Sequence, residues 1–333
     1  MSEKQRISIL GAGSWGTTLA VMLAGKHKLE VTLWSAFAEH AGSMRKKREN
    51  IDFLPGTLFP ESLSITDDPD AAAVSDILIC AVPVQFMRSI LQRIKGKAAD
   101  KIIVSVSKGI ELATLKTPYE MIFEELEVKK ENIVILSGPT IAAELASGMP
   151  AVACAASVSE VSSSVIQKIF EGTSLRIYSN TDVYGVELAG ALKNVLAIAC
   201  GISDGLGFGT NAKSALVTRG LREMMIFGKL NGASEDTFAG IAGLGDLCTT
   251  CFSSRSRNRG LGERIGRGEK LCDILASMKM VAEGVVTAKS VYNIAVDKGI
   301  ELPIVTEVYK MLYEDKPPVQ AVKDLMSRPL KAE

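Results

Sequence analysis

A glycine-rich turn near the start of the chain constrains the fold more than any other feature. The strand-like run RISIL leads into Gly11, Gly13 and Gly16, spaced as G-x-G-x-x-G, then into the helix-like run TTLAVMLAGK and the strand-like run EVTLW. Alone the pattern is a weak signal, but inside such a βαβ unit it is typical of dinucleotide binding. Gly11 permits the tight turn, Gly13 lets the backbone approach a pyrophosphate, and Gly16 lets helix and strand pack closely. The alternative is a glycine-rich turn that binds nothing.

Strand-like runs recur through the first half, each followed by a helix-like stretch: RISIL, EVTLW, DILICAV, KIIVSVS, NIVILSG, AVACAAS and LRIYS. Such near-continuously apolar runs are typical of parallel strands covered on both faces. We therefore predict an α/β fold with a Rossmann-type, doubly wound parallel sheet over residues 1–180. The strand patterns then stop, and we predict an all-helical domain over residues 181–333, with long helices around 182–202 and 212–230. A length of 333 residues fits two domains.

Composition narrows the class of protein. The 38 basic and 38 acidic side chains cancel, which does not favour nucleic acid or an anionic membrane as a partner. No uninterrupted apolar run reaches transmembrane length, and we expect no signal peptide, because the sequence enters a strand-like run at once. We expect a cytoplasmic protein without membrane insertion.

The end of the second strand leaves the choice of nicotinamide cofactor open. An acidic residue there binds the ribose hydroxyls of NAD, but this chain has Trp34, Ser35 and Ala36. No carboxylate excludes NADP, and no arginine immediately favours it. The basic residues at 45–47 either contact a 2′-phosphate or form the solvated face of a helix. We expect NADP or NAD, with NADPH favoured in the reducing direction.

Three further loops follow strands, at the edge where open α/β sheets bind ligands. AVPVQF carries Phe86, whose ring we expect near a nicotinamide. SVSKGIE carries Lys108, and LSGPT carries Gly138 and Thr140 at the start of a helix. A lone lysine in such a loop is often only solvent-exposed, but the convergence of three loops favours a site.

One lysine of the helical half stands in an apolar run, GALKNVLAIACG. The neighbours of Lys193 three and four residues away are Ala189, Gly190, Leu196 and Ala197, which are mostly small. Lys193 either faces a cleft or lays its stem on the surface with the ammonium in water, and its apolar flanks favour the cleft. If the nicotinamide cofactor removes hydride from an alcohol, a base must take the proton of the alcohol's hydroxyl group. A lysine serves if burial or a neighbouring cation lowers its pKa.

A polar cluster follows in GLGDLCTTCFSSRSRNRGLGERIG. Asp246 comes after a glycine-rich turn, and Arg255, Arg257, Asn258 and Arg259 stand where a helix is predicted to begin. Basic side chains with free N–H groups at a helix start favour an anion such as phosphate. The alternative is a solvated charged face.

The same stretch contains a C-x-x-C pair, Cys248 and Cys251. A zinc site needs two more ligands, and the two histidines, His27 and His40, are far away in sequence. We expect two reduced, partly buried thiols rather than a redox pair, and no metal site.

Over nearly its whole length the sequence resembles the NAD(P)-dependent glycerol-3-phosphate dehydrogenase family of bacterial type. The resemblance rests on GAGSWG, FLPG, SKGIE, SGPT, ELAGALKNVLAIACGISDGLGFGTNAKSALVTRGL, GLGDL, SRNR and VAEGVVTAKSV, in that order. It implies reversible interconversion of glycerol 3-phosphate and dihydroxyacetone phosphate, in the service of phospholipid synthesis. It also implies a helical domain like that of 6-phosphogluconate dehydrogenase, and a homodimer.

The resemblance implies residue roles as well. Lys193 would accept the proton of the C2 hydroxyl and return it in the reducing direction, with Asp246 as its neighbour. The implied substrate-binding residues are Lys108, Gly138, Thr140, Lys193, Asn194, Asp246, Thr250, Ser256, Arg257 and Asn258, with Arg257 and Asn258 chiefly at the phosphate. The implied cofactor positions are Ser14, Trp15, Lys108, Ala142, Arg257, Val281 and Glu283. The chain departs from the family at Ser35 and Ala36, where relatives often carry a basic residue or histidine.

Two other functions remain open on the sequence alone. One is a related two-domain dehydrogenase for a 3-hydroxyacid or ketopantoate, although the cluster from Ser256 to Arg259 offers more donors than a carboxylate needs. The other is a non-catalytic sensor of nicotinamide cofactors, which would not need Lys193, Asp246 and an anion site together.

Overall fold

The computed structural model describes residues 4–329, and this chain divides into two compact units. The first unit runs to Lys108 and resumes over Lys116–Glu187. The second consists of Gly109–Leu115 and the chain from Leu188 onward. The short segment is held within the second unit, where the Ser290 hydroxyl donates to the Ile110 carbonyl over 3.2 Å.

The first unit is a sheet covered by helices. Its strands are β1 (Gln5–Leu10), β2 (Leu29–Trp34), β3 (Glu49–Asn50), β4 (Leu54–Leu58), β5 (Leu63–Thr66), β6 (Ile77–Cys80), β7 (Ile102–Ser105), β8 (Ile133–Ser137), β9 (Ala151–Ala156) and β10 (Leu175–Asn180). Its helices are α1 (Ser14–Ala24), α2 (Ala38–Lys47), α3 (Pro69–Ala73), α4 (Val84–Arg93), α5 (Pro118–Leu126), α6 (Ala142–Ala146) and α7 (Glu160–Phe170), with a 3₁₀ turn at Lys130–Asn132.

The main sheet has the order β10-β9-β8-β7-β6-β1-β2-β5. The chain leaves β1 outward through β2 and β5, then crosses back to β6 on the other side of β1. This reversal beside β1 is the point at which doubly wound sheets bind ligands. The central strands β6 and β8 are buried along their whole length, as their apolar runs predicted. The predicted Rossmann-type fold is confirmed.

The sheet departs from the prediction at one edge. Strands β8 and β9 pair antiparallel, so β9 and β10 run against the other strands. The β8–β9 connection contains only the five-residue α6, and the chain turns back without crossing the sheet. The apolar runs did not reveal this reversal, because they report burial on both faces but not strand direction.

The sequence patterns also missed β3, β4 and β5. Strands β3 and β4 form an antiparallel hairpin outside the main sheet. β3 has two residues and β4 contains Pro55 and Gly56, so neither shows an apolar alternation. β5 has only four residues.

The second unit is helical, as predicted. Its helices are α8 (Val183–Gly205, whose first turn lies in the first unit), α9 (Thr210–Leu230), α10 (Glu235–Ala239), α11 (Asp246–Phe252), α12 (Arg257–Gly266), α13 (Leu271–Ser277), α14 (Glu283–Asp297), α15 (Pro303–Tyr313) and α16 (Pro318–Met326). The expected glycine-rich turn before Asp246 is instead a π-helical segment, Ile241–Gly245, that runs directly into α11.

Helix α8 is long and apolar enough to cross a membrane by length and composition, which the sequence analysis had not recognised. The most apolar stretch of α8 is entirely buried inside the protein, as in the core helix of a globular fold. Burial on all sides explains why the helix is apolar around its circumference.

Glycines let α8 and α12 touch backbone to backbone. A Cβ at Gly201 would lie 2.0 Å from the Arg259 carbonyl oxygen, and one at Gly262 would lie 2.1 Å from the Ile198 carbonyl oxygen. Gly266 repeats the contact one turn further along. The start of α12, with its polar cluster, is thereby held against the helix that carries Lys193.

Candidate functional site

The glycine-rich loop between β1 and α1 has the shape of a phosphate cradle. Gly11 has φ +117°, and a Cβ there would lie 2.6 Å from the Ala81 carbonyl oxygen. A Cβ at Gly16 would lie 2.0 Å from the Gly11 carbonyl oxygen, so both glycines are needed for close packing. At Gly13, by contrast, a Cβ would meet nothing within 4 Å. The space over Gly13 is therefore open for a ligand.

The start of α1 faces that space with its N–H groups available. Gly13 is the N-cap and offers no side-chain cap, and the first turn has no acidic residue. A helix start of this kind favours a negatively charged group such as a pyrophosphate. The Ser14 hydroxyl donates to the Phe53 carbonyl over 2.5 Å. Trp15 packs against the core of the unit. The residues present fit a dinucleotide.

Other predicted positions of the first unit lie on neighbouring loops. The Lys108 ammonium donates to the Gly138 carbonyl over 3.1 Å, and the Thr140 hydroxyl donates to the same oxygen over 3.2 Å. Ala142 begins α6, and its carbonyl accepts from the Thr18 hydroxyl of α1 over 3.2 Å. The structure therefore brings the SKGIE and SGPT loops together and ties α6 to the cofactor helix.

Phe86 lies in the first turn of α4 and is 58% exposed, so its ring is free to face a ligand. At the end of β2, the Ser35 side chain is buried and lies 3.1 Å from His40 Nδ1. Of the basic residues at 45–47, Arg45 pairs with Asp67 over 3.0 Å.

In the second unit, the structure places Lys193 with two of its predicted neighbours. The Lys193 ammonium donates to an Asp246 carboxylate oxygen and, over 2.8 Å, to the Thr250 hydroxyl. The Thr250 hydroxyl in turn donates to the Asp246 carbonyl over 2.7 Å. The Lys193 and Asp246 side chains are 8% and 1% exposed. Lys193 thus faces a polar site inside the unit rather than bulk water. The ion pair with Asp246 offsets the cost of burying its charge.

A second polar group joins α8, α12 and α14. The Asn258 amide donates to the Asn194 side-chain oxygen over 3.0 Å and accepts from the Gly284 N–H over 3.0 Å. A Cβ at Gly284 would lie 2.6 Å from the Asn194 carbonyl oxygen, so a larger residue would push the helices apart. Asn258, which we predicted to bind the phosphate, is therefore held beside Asn194, the residue that follows Lys193.

The predicted anion site is divided by the structure. Ser256 caps α12 by accepting the Arg259 N–H over 3.2 Å. Arg257, the first residue of the helix, donates to the Val281 carbonyl over 3.0 Å and remains on the surface. Arg259 instead pairs with Asp204 over 2.7 Å, so the phosphate cluster expected from the arginine run loses one member to a structural bond.

Glu283 starts α14, two residues after Val281, so both predicted cofactor positions lie beside the start of α12.

The cysteines of the C-x-x-C pair are free thiols, Cys251 buried and Cys248 partly buried. A hydrogen bond with Cys200 and burial raise the pKa of Cys251 well above its usual range. Within residues 4–329, no three His, Cys, Asp or Glu side chains are grouped as a metal site would need.

Sequence reasoning missed two structural supports of the site. One is Asp204 on α8, which accepts Arg259 and, over 2.6 Å, the Lys213 ammonium. The other is Asn50 in the β3–β4 hairpin, which binds the glycine-rich loop. The polar Asn50 shortly before the FLPG motif was the available signal for the hairpin.

Comparisons with known proteins identify the family. The family models described as NAD-dependent glycerol-3-phosphate dehydrogenase N-terminus and C-terminus match residues 6–163 and 182–323. The glycerol-3-phosphate dehydrogenase [NAD(P)+] of Geobacter sp. (strain M21) is 48% identical over 336 residues, which span 100% of this chain and 99% of the relative. That of Chlorobium phaeobacteroides is 46% identical over 331 residues, spanning 98% of this chain and 99% of the relative.

Solved structures give the same result. The crystal structure of glycerol-3-phosphate dehydrogenase from Coxiella burnetii superposes with a TM-score of 0.93 at 37% identity, covering 98% of this chain and 99% of that one. A ketopantoate reductase from Ralstonia eutropha has a TM-score of 0.62 at 14% identity, which shows a shared fold alone. The chain therefore belongs to the NAD-dependent glycerol-3-phosphate dehydrogenase family.

Proposed function

We propose that the protein interconverts sn-glycerol 3-phosphate and dihydroxyacetone phosphate, with NAD(P) as the hydride carrier and Lys193 as the general acid and base. Family membership supports the reaction. The proposed residue roles rest on the buried hydrogen-bonded group formed by Lys193, Asp246 and Thr250. The nicotinamide, when bound, donates hydride to C2 in the reducing direction and accepts it in the oxidising direction.

The chain's own residues manage the proton. A carboxylate beside a buried ammonium favours its charged form, so Lys193 is prepared to give a proton to the carbonyl oxygen of the ketone. In the oxidising direction the ammonium first releases this proton, and the neutral amine then takes the proton of the C2 hydroxyl. Asp246 and Thr250 orient the amine in both directions, since each holds it by a hydrogen bond.

The start of α12 is the proposed phosphate site. Arg257 supplies a guanidinium there, and the first N–H groups of the helix supply further donors. Asn194 and Asn258 hold this helix start and complete the substrate site. In the first unit, Lys108, Gly138 and Thr140 are proposed to contact the substrate, and the glycine-rich loop binds the cofactor.

We infer a cytoplasmic homodimer that supplies glycerol 3-phosphate for phospholipid synthesis, with NADPH the favoured reductant. The family match and the full-length likeness to glycerol-3-phosphate dehydrogenases favour this function over a hydroxyacid dehydrogenase or a cofactor sensor.

The test is oxidation of NADPH and NADH, followed optically, with dihydroxyacetone phosphate and separately with dihydroxyacetone. We expect fast turnover of the phosphorylated ketone alone. Arg257→Gln should raise the KM for dihydroxyacetone phosphate at least about tenfold, as expected for a charge-assisted contact. Arg222→Gln, exposed on α9 and outside this cluster, is the matched control and should behave as wild type. Cofactor binding without turnover of either ketone would favour the sensor instead.

A further inference from the structure

The β3–β4 hairpin is bound to the glycine-rich loop by Asn50, which is fully buried. The Asn50 amide nitrogen donates to the Ala12 carbonyl over 2.9 Å and to the Thr17 hydroxyl over 2.8 Å. Its oxygen accepts the Phe53 N–H over 3.3 Å and lies 3.1 Å from His40 Nε2. Asn50 therefore uses its whole hydrogen-bonding capacity between the hairpin, α2 and the loop.

The directions of these bonds follow from the partners. The Ala12 carbonyl can only accept, which fixes the nitrogen side of the Asn50 amide toward the loop. The amide oxygen then faces His40, so His40 Nε2 carries the hydrogen and donates it. In the neutral ring Nδ1 accepts from the Ser35 hydroxyl, 3.1 Å away. One line of hydrogen bonds thus runs from the end of β2 to the loop.

The bond to Ala12 controls the peptide that follows it. In a trans peptide the carbonyl and the N–H point in opposite directions. Holding the Ala12 carbonyl toward Asn50 therefore points the Gly13 N–H away from Asn50. Gly13, which follows this peptide, puts little steric restraint on its rotation. Without Asn50, the peptide is free to turn its carbonyl oxygen toward a bound anion.

We propose that Asn50 is a positioning residue of the dinucleotide site, because it keeps the Ala12–Gly13 peptide with its N–H available to the pyrophosphate. The inference rests on the proposed function and adds a residue to its cofactor site. The pyrophosphate is common to NADH and NADPH, so losing Asn50 weakens the binding of both by the same factor.

The experiment measures equilibrium dissociation constants of NADH and NADPH by their fluorescence on binding. In Asn50→Ala we expect both constants to rise about tenfold, as the loss of two buried hydrogen bonds implies. Asn50→Asp keeps an acceptor for Phe53 and His40 but turns an oxygen toward the Ala12 carbonyl. It should bind weakly too, even at about 0.5 M KCl, where direct charge repulsion is screened.

Glu49→Ala is the matched control. Its carboxylate accepts the Gly56 N–H over 2.7 Å within the same hairpin and does not touch the loop. We expect wild-type affinity for both cofactors. With saturating cofactor, kcat and the KM for dihydroxyacetone phosphate should also stay within about twofold of wild type in Glu49→Ala, whereas general damage to the hairpin would change them.

Wild-type affinity in Asn50→Ala or in Asn50→Asp would overturn the proposal, as would equal weakening in Glu49→Ala or a selective loss of one cofactor. If Asn50→Ala does not fold, Thr17→Val removes one acceptor of the same amide and should weaken both cofactors about threefold; unchanged binding there would also overturn it. Failure of the wild-type protein to bind either cofactor would instead contradict the proposed function.

Discussion

Lys193 and Asp246 form an ion pair inside the second unit, where both side chains are almost excluded from water. Burying two charges is costly, and replacing such a pair by apolar residues is often neutral or stabilising. The pair is therefore better explained by a role in catalysis than by a contribution to stability. Its effects on catalysis and on stability can be measured separately.

Lys193→Met should lower kcat about 10²–10⁴-fold, because no other group would supply the proton. It should also lower the free energy of unfolding by about 3–5 kcal/mol, because the buried Asp246 carboxylate loses the Lys193 ammonium. The double variant Lys193→Met/Asp246→Asn should recover much of that stability and remain inactive. Denaturant unfolding and steady-state rates measure both. Wild-type turnover in folded Lys193→Met would refute the assignment.

The open space over Gly13 predicts an effect on binding without an effect on folding. Gly13 has φ −75°, which alanine adopts freely, and a Cβ would meet nothing within 4 Å. Gly13→Ala should unfold like wild type but bind NADH and NADPH at least about tenfold more weakly, since the methyl group occupies the space of the pyrophosphate. Gly16→Ala should be poorly folded, because its Cβ would overlap the Gly11 carbonyl. Calorimetric titration gives the affinities, and unchanged binding in Gly13→Ala would show that the ligand lies elsewhere.

The glycine contact between α8 and α12 should control the phosphate site. Gly262→Ala forces α12 away from α8, because its Cβ would lie 2.1 Å from the Ile198 carbonyl oxygen. We expect a loss of about 1–3 kcal/mol in the free energy of unfolding and a higher KM for dihydroxyacetone phosphate. Gly260→Ala, on the same helix with nothing within 4 Å of its Cβ, is the control and should be as stable as wild type or slightly more so. Equal behaviour of the two variants would mean that the close contact has no functional effect.

Glu187 predicts a pH dependence of stability. Burial raises its pKa from 4.5 to about 8, although it accepts the Tyr119 N–H at the start of α5 over 2.8 Å. Because the folded-state pKa lies above the unfolded value, the folded chain holds a proton that the unfolded chain releases. The contribution of Glu187 to stability is thus full below about pH 4.5 and is lost as the pH rises through about 8.

Glu187→Gln should therefore be more stable than wild type at pH 8.5 and show a smaller fall in stability between pH 5 and 8.5. Part of the fall should remain, because burial also raises the pKa of Glu223 to about 7. Glu30→Gln, exposed on β2, serves as control. Parallel stability curves for wild type and Glu187→Gln would contradict the assignment.

Much of the fold follows from the order of residues. The seven apolar runs predicted strands that the structure contains, and the two long helices of the second half lie close to their predicted bounds. The fingerprint of Gly11, Gly13 and Gly16 predicted a cofactor loop, because each glycine answers a local steric demand within one βαβ unit. Periodicity and local steric demands depend on residues that are close together in the chain, so they can be read from the sequence.

Tertiary structure decided what depends on distant partners. Residue patterns placed Lys193 in an apolar helix, and only the family resemblance implied its neighbour Asp246, 53 positions further along the chain, which the fold brings to it. The fold also decided the direction of β9, the loss of Arg259 to Asp204, and the bond from Asn50 to Ala12. Each depends on which segments meet in space. The energy of a buried charge or amide is set by the partner it finds there, and no local pattern encodes that partner.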